Sequence, residues 1–124
     1  MTKEQRTKLL KDIKVQDVKS ESFFCVYEDL YFDEKNQWED LSQEAKIVYF
    51  AMYSRLRASI LNDWVDNDGK IFIYFSIEDV MKYQRCATEK ATKIKKQLTE
   101  VGLIEEVRQG QGKPNRIYLK SWKI

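Results

Sequence analysis

The spacing of apolar residues predicts the order of helices and strands along the chain. In the segment LSQEAKIVYFAMYSRLRASILNDW, apolar positions recur every three or four residues, which is typical of a helix with one face in the core. These positions are Ala45, Val48, Tyr49, Met52, Leu56 and Ile60. Ser42 is the predicted N-cap, with Glu44 in the first turn, where the helix dipole favours a carboxylate. The helix is expected to end near Asn62, before a turn at 66–69.

A strand and two further helices are predicted next. KIFIYF (70–75) is a continuous run of β-branched and aromatic residues, which predicts a strand covered on both sides. Ser76 is the predicted cap of a short helix through IEDVMKYQ. After a break at RCAT, a third helix is predicted to run to Gly102, a glycine suited to a left-handed cap. Its apolar stripe is Ala91, Ile94, Leu98 and Val101.

The pattern near the C-terminus predicts a β-hairpin, and the pattern at the N-terminus predicts an arm outside the folded domain. The strands LIEEVR and RIYLKSW flank the loop QGQGKPN, with Ile117 and Leu119 on one face of the second strand. FFCVYEDLYF (23–32) is rich in β-formers and predicts an extended segment or a short strand. Residues 1–22 show little periodicity and predict a mobile, weakly helical arm. The remainder, 23–124, then has the element order of one α+β winged helix-turn-helix domain.

Composition narrows the function classes. The 124 residues suit one globular domain, with 43% apolar residues and no apolar run near the ~20 residues that span a bilayer. The chain has no histidine, and its two cysteines, Cys25 and Cys86, are far apart, which excludes a zinc site and a Cys–His nucleophile. We expect both cysteines to be reduced, buried or half-buried thiols of a cytoplasmic protein. No cofactor, metal or membrane partner is expected.

Charge is segregated along the chain. Residues 28–81 carry five basic and twelve acidic residues, net −7, whereas residues 82–124 carry eleven and four, net +7. Such asymmetry favours a protein that presents one face to a polyanion and turns another away from it.

The third predicted helix carries a polar face opposite its apolar stripe. In a helix-turn-helix this helix lies in the major groove, where lysines and threonines can contact phosphates and base edges. The alternative is an ordinary amphipathic helix with a solvated lysine face, and Lys95 is expected to flank that face. The candidate DNA contacts around this helix are Arg85, Thr88, Glu89, Thr92, Lys93 and Lys96.

The hairpin loop is the second candidate contact. Gly110 and Gly112 permit the positive φ values of a tight tip, and Pro114 stiffens the return. No acidic residue lies between Arg108 and Arg116, which favours a loop placed against phosphates over one that only turns the chain. The candidate DNA contacts here are Gln109, Gln111, Lys113, Asn115 and Arg116, with Lys113 and Arg116 expected to carry most of the charge.

Motifs typical of enzymes or metal sites do not fit. GQGK (110–113) lacks the GxxxxGK spacing of a phosphate loop, and Pro114 follows its lysine. Alignment of DWVDNDGKIFIYF on Gly69 as a calcium loop puts Trp64 and Phe75 where carboxylates are needed. Adjacent acidic pairs such as Glu105 and Glu106 point in different directions. The chain is therefore not expected to be an enzyme.

Three stretches carry a family resemblance. FFCVYEDLYFD, LSQEAKIVYFAMYSRLRASILNDWVDNDGKIFIYFS and QLTEVGLIEEVRQGQGKPNRIYL resemble the N-terminal domain of the plasmid replication initiator A (RepA) family of Gram-positive bacteria, over roughly 22–120. The resemblance implies a winged helix that binds repeated sequences at a plasmid origin and starts replication, usually as a dimer. It also implies that a further C-terminal domain accompanies this portion in the family. Cys86 stands where the third helix usually has a small hydroxyl residue, and Thr88 is expected to replace it.

Two other functions stay open on the residues alone. A transcriptional regulator of the same fold is separated from an initiator only by the family resemblance, and a protein-interaction winged helix would need an exposed apolar or mixed patch. Host replication proteins are further candidate partners. We also expect a homodimer, because FFCVYEDLYF offers more aromatic surface than one small winged helix covers. The candidate interface residues, divided between the core and a two-fold contact, are Phe23, Phe24, Tyr27 and Tyr31.

Overall fold

A computed structural model describes residues 1–20 and 24–124 of the chain. The described residues form seven helices: α1 (Lys3–Leu9), α2 (Val15–Ser20), α3 (Glu28–Phe32), α4 (Gln43–Ser54), α5 (Leu56–Leu61), α6 (Ile77–Gln84) and α7 (Thr88–Glu100). They also form one antiparallel sheet of two strands, β1 (Ile104–Val107) and β2 (Arg116–Leu119). No helix within these ranges has the length and apolarity needed to cross a membrane.

Helix α4 lies at the centre of the core. Val48, Tyr49, Phe50 and Met52 have no exposed surface. The Tyr49 hydroxyl donates to the backbone oxygen of Lys120 at 2.6 Å, and burial raises the pKa of Tyr49 well above its ordinary value. Helices α4, α6 and α7 pack against one another, and the β1–β2 hairpin follows α7 directly. This arrangement confirms the predicted winged helix-turn-helix.

The helix-turn-helix is built from the signals that the sequence contains. Ser76 and Asp79 form a capping box at the start of α6, in which each side chain accepts a hydrogen bond from the other's backbone N–H, at 3.1 and 2.9 Å. Helix α6 ends at Arg85, which is left-handed with φ 48°. Ala91, Ile94 and Leu98 of the predicted α7 stripe are buried, and Val101 is half-buried. Gly102 follows the helix with φ 87°.

The first predicted helix is interrupted. Helix α4 ends at Ser54, and α5 starts again after Arg55, so the apolar spacing does not continue through the break. Beyond it, Ser59 is buried, whereas Ile60 is 55% exposed. The prediction that Ile60 faces the core is therefore wrong, and Leu56 is only half-buried.

The segment 23–32 is partly helical, so the prediction of an extended segment or strand is wrong over α3. Glu28 and Asp29 stabilise the first turn of α3 because carboxylates are favourable at a helix N-terminus. Leu30 is fully buried. Asp33 ends the helix in a left-handed conformation, and its carboxylate accepts the backbone N–H groups of Gln37 and Trp38 at 2.9 and 2.7 Å.

The segment 70–75 is buried at Phe72, Ile73 and Phe75 but is exposed at Lys70, and it is not a regular strand. It makes single bridges, of which Ile73 with Ile117 joins it to the edge of the hairpin through two 2.9 Å hydrogen bonds. The next carbonyls are taken by side chains, because Arg55 donates to Tyr74 and Lys95 donates to Phe75, each at 3.0 Å. These side chains replace the second strand that a longer ladder would need.

The N-terminal arm contains α1 and α2, and every side chain of residues 1–17 is exposed. Its predicted helical tendency is confirmed, and its mobility stays a prediction. Both cysteines are free, but Cys25 is exposed, so the expected burial holds only for the half-buried Cys86.

Candidate nucleic-acid interface

The polar face of α7 is exposed as the sequence predicts. Thr88, Glu89, Thr92, Lys93 and Lys96 are all exposed, while Ala91, Ile94 and Leu98 hold the other face in the core. Within the described ranges, Lys93 has no hydrogen-bond or ion-pair partner, and the ammonium of Lys96 lies 3.9 Å from the carboxylate of Glu100. The structure therefore leaves this pair of lysines available to a ligand.

The start of α7 offers polar groups to a ligand. The hydroxyl of the exposed Thr92 donates to the backbone oxygen of Thr88 at 2.9 Å, and its oxygen can still accept a hydrogen bond. The Thr88 hydroxyl donates a hydrogen bond to the sulfur of Met81, with the two atoms 3.7 Å apart. Ala87 is the N-cap and provides no side-chain acceptor, so the first N–H groups of the helix are not capped by it. Arg85 is exposed in the turn before them.

Lys95 does not flank the exposed face, so that expectation is wrong. Only 8% of the residue is exposed, because it lies under the hairpin. Its ammonium donates to the Phe75 carbonyl and forms an ion pair with Glu106 at 3.1 Å.

The hairpin loop, which we call the wing tip (109–115), has an ordered base. Gly110 and Gly112 adopt φ values of 127° and 77°, as their predicted role requires. The Gln109 amide donates to the Pro114 carbonyl at 2.7 Å and accepts from the Arg116 guanidinium at 3.0 Å.

Arg116 is held more firmly than the sequence indicates. Its guanidinium carbon lies 4.3 Å from the centre of the Phe72 ring, and the hydrogen bond to Tyr118 raises the pKa of Arg116 above its ordinary value. Arg116 and Gln109 are half-buried, whereas Arg108, Gln111 and Lys113 are exposed. Lys113 and Arg108 are thus the accessible cations at and beside the wing tip.

Acidic residues gather on another part of the domain. A cavity of about 450 Å³ beside α3 is lined by four acidic residues and two lysines, which are Glu28, Asp29, Asp33, Glu34, Lys35 and Lys123. None of the residues that line this cavity belongs to α7 or to the wing tip, so the acidic cavity and the lysine-bearing face of α7 are formed by different segments of the chain.

Three of the predicted dimer residues, Phe24, Tyr27 and Tyr31, lie against the domain's own core. Tyr27 packs on Trp122 and Tyr53, with ring centres 4.8 and 5.2 Å apart, and Phe24 contacts Tyr83 edge-on at 5.8 Å. Tyr31 is half-buried. Phe23 lies outside the described residues. A two-fold contact through the remaining surface of these rings stays a prediction.

Two parts of this surface were missed from sequence. The contact between the Phe72 ring and Arg116 depends on the bridge between residues 73 and 117, and no local sequence pattern predicts that bridge. The uncapped start of α7 had a signal, because Ala87 stands where a Ser, Thr, Asp or Asn cap is usual.

Comparison with known proteins yields one family and several relatives. The family model for the replication initiator protein A (RepA) N-terminus matches residues 22–124. A "41 kDa protein" of Lactobacillus helveticus is 36% identical over 85 residues, which are 64% of this chain and 24% of that protein. The chain thus spans about a quarter of the length of this curated relative.

Solved structures with the same fold are also similar in sequence. Two of them, described as "N-Terminal domain of DNA binding protein" and "Structure of Rep-DNA complex", are each 37% identical to the chain, with a TM-score of 0.70. Each similarity covers 90% of this chain and 84% of the other. A third, "Structure of MDR initiator", is 32% identical with a TM-score of 0.68 and covers 90% and 86%.

Proposed function

Because the chain belongs to the family of replication initiator protein A (RepA) N-termini, we propose that it binds double-stranded DNA in a sequence-specific manner at the repeats of a plasmid origin. The observation that carries the proposal is the exposed lysine and threonine face of α7, together with the β1–β2 hairpin that follows it and whose wing tip has no acidic residue. The 37% identity to a protein in a Rep–DNA complex supports DNA as the ligand. Initiation of replication would be the role of the whole protein.

In this proposal α7 enters the major groove. Lys93 and Lys96 contact phosphates or guanine edges, and Thr88 and Thr92 contact a base or a phosphate. Glu89 accepts a hydrogen bond from a cytosine amino group, and Arg85 contacts the DNA backbone. The wing tip lies along the backbone or minor groove beside this site. The role is binding, and no chemical step is assigned to the domain.

Fluorescence anisotropy with two labelled duplexes tests the proposal. One duplex carries the plasmid's origin repeats and the other a scrambled sequence of the same composition. We expect the repeats to bind at least about 10³-fold more tightly at physiological salt, as specific sites do. Equal affinity for the two duplexes would contradict sequence-specific binding.

Lys113→Ala should change the salt dependence of binding without affecting the fold, because this lysine is exposed at the wing tip. Each lost phosphate contact lowers the slope of log affinity against log salt by about 0.9. Cognate and scrambled duplexes should weaken by similar factors. Arg116→Ala should flatten the slope too, and also lower the melting temperature, because it removes the contacts with Phe72 and Gln109.

The control for charge is Lys35→Ala, beside the acidic cavity, which should leave the slope unchanged. A slope equal to the parent's in the Lys113→Ala/Arg116→Ala double variant would show that the wing tip only turns the chain.

Dimerisation is the second part of the proposal. A homodimer would present two copies of α7 to repeated half-sites, with Phe23, Phe24, Tyr27 and Tyr31 at the contact. Sedimentation equilibrium should show twice the chain mass at high micromolar concentration, and Tyr31→Ala should shift the equilibrium towards monomer. A monomer at that concentration, both with and without DNA, would contradict the dimer.

A further inference from the structure

An ion pair between the buried Lys95 and the half-buried Glu106 joins α7 to the wing, which is the β1–β2 hairpin with its tip. The Lys95 ammonium lies 3.1 Å from one carboxylate oxygen of Glu106 in β1, and the two side chains are only 10% and 26% exposed. The same ammonium donates to the Phe75 carbonyl at 3.0 Å. Lys95 therefore ends beneath the hairpin, although its neighbour Lys96 is exposed on the polar face of the same helix.

The second oxygen of Glu106 extends this connection across the hairpin. It accepts a hydrogen bond from the side-chain amide of Asn115 at 3.3 Å. Asn115 ends the wing tip, directly before β2 begins at Arg116. One carboxylate thus contacts the middle of α7 with one oxygen and the far side of the wing with the other.

Stability alone is a poor explanation for such a pair. Desolvation of two charges offsets most of their attraction, and apolar residues of similar volume often replace a buried ion pair without loss of stability. An ion pair differs from an apolar contact in its directionality, because it is optimal at one separation and orientation. Lys95 and Glu106 are therefore suited to fixing how the hairpin is oriented on α7.

We infer that Lys95 and Glu106 are positioning residues, which hold the wing tip at the angle to α7 that lets both contact one duplex together. The inference rests on the proposed function, since it concerns the geometry of DNA binding. Neither residue needs to touch DNA. A preorganised wing raises affinity because less ordering remains to be done on binding.

A charge-neutral exchange tests the inference. Lys95→Met/Glu106→Leu replaces the pair by apolar side chains and leaves the net charge of the domain unchanged. The matched control is Lys120→Met/Glu105→Leu, which removes an exposed pair from the same two-stranded hairpin, where the charged atoms are 3.5 Å apart and the side chains 51% and 61% exposed. Melting temperature, affinity for origin-repeat and scrambled duplexes, and salt slope are measured for both.

We expect the buried exchange to keep its melting temperature within a few degrees of the parent's, yet to lose about three- to tenfold in affinity for the repeats, which is the scale of one hydrogen-bonded contact. Its salt slope should also fall, although no DNA-facing cation is removed. The control should bind and melt like the parent. Parent-like affinity and slope in a folded Lys95→Met/Glu106→Leu variant would overturn the inference.

A measurement without DNA separates this inference from the proposed function. In the ¹⁵N-labelled free protein, the amides of 110–115 should have lower order parameters in the buried exchange than in the parent or the control. If the parent shows no preference for the repeats, the proposed function fails, and unchanged order parameters would then overturn the positioning role as well.

Should the double exchange not fold, Glu106→Gln serves in its place, with Glu105→Gln as control. Loss of a negative charge near DNA ordinarily strengthens binding. Glu105→Gln should follow that rule, whereas Glu106→Gln should weaken cognate binding because the positioning contact is impaired. Tighter binding by Glu106→Gln would contradict the inference.

Discussion

Lys93→Ala combined with Lys96→Ala should weaken binding to the origin repeats by about 10- to 100-fold, the largest effect expected from any exposed pair. Lys93 has no partner among the described residues and Lys96 only a 3.9 Å contact, so their removal should leave the melting temperature unchanged. If either lysine contacts a base, discrimination between repeat and scrambled duplexes should also fall, by about 1–3 kcal/mol for each base contact.

The matched control for this prediction is Lys35→Ala/Lys123→Ala. These lysines line the acidic cavity beside α3, so the same charge is lost from a surface that is not assigned to DNA. The control should bind the repeats nearly as tightly as the parent. Parent-like affinity in the Lys93→Ala/Lys96→Ala variant would contradict the proposal that α7 binds in the major groove.

Leu98→Ala should lower the free energy of unfolding by about 2–5 kcal/mol, because it leaves a cavity behind α7. Leu98 has no exposed surface and lies on the inner face of α7. A domain of this size is stable by only about 5–15 kcal/mol, so the loss is a large fraction of the total.

Urea denaturation followed by circular dichroism measures this loss. Leu61→Ala is the matched control, since it makes the same chemical change at a leucine that is 81% exposed, and it should cost no more than about 0.5 kcal/mol. A loss below about 1 kcal/mol for Leu98→Ala would mean that the site collapses around the smaller side chain.

Elements set by local signals were predictable from sequence. Helix α6 begins at a capping box, and α7 combines a regular apolar stripe with a glycine after its end. Both signals act within a few residues, so tertiary contacts need not be known. The hairpin was predictable for the same reason, because Gly110 and Gly112 favour a tight turn between two alternating segments.

Elements set by distant partners were not predictable. Residues 70–75 have strand composition, but Arg55 and Lys95 take the carbonyls that a ladder would use. The break at Arg55 likewise shifts the buried position to Ser59 and leaves Ile60 exposed. Along residues 70–75 these tertiary hydrogen bonds override the local preference for a strand.

The candidate site shows the same division. Helical spacing placed Lys93 and Lys96 on the exposed face correctly. Helical spacing could not predict that Lys95 is buried while Lys96 is exposed, because the burial of two adjacent lysines at the edge of a helix face depends on which tertiary neighbours they meet. The difference comes from Glu106, which reaches α7 from a strand eleven residues later.

The central claim is that α7 and the wing tip together form one DNA-binding surface. Its most direct test is a titration of the ¹⁵N-labelled protein with an unlabelled origin-repeat duplex, followed by amide chemical shifts. We predict that the largest changes lie at 85–96 and 108–116, with little change around α3 and its acidic cavity. Changes concentrated around α3 or α5, with α7 and the wing tip unperturbed, would contradict the claim.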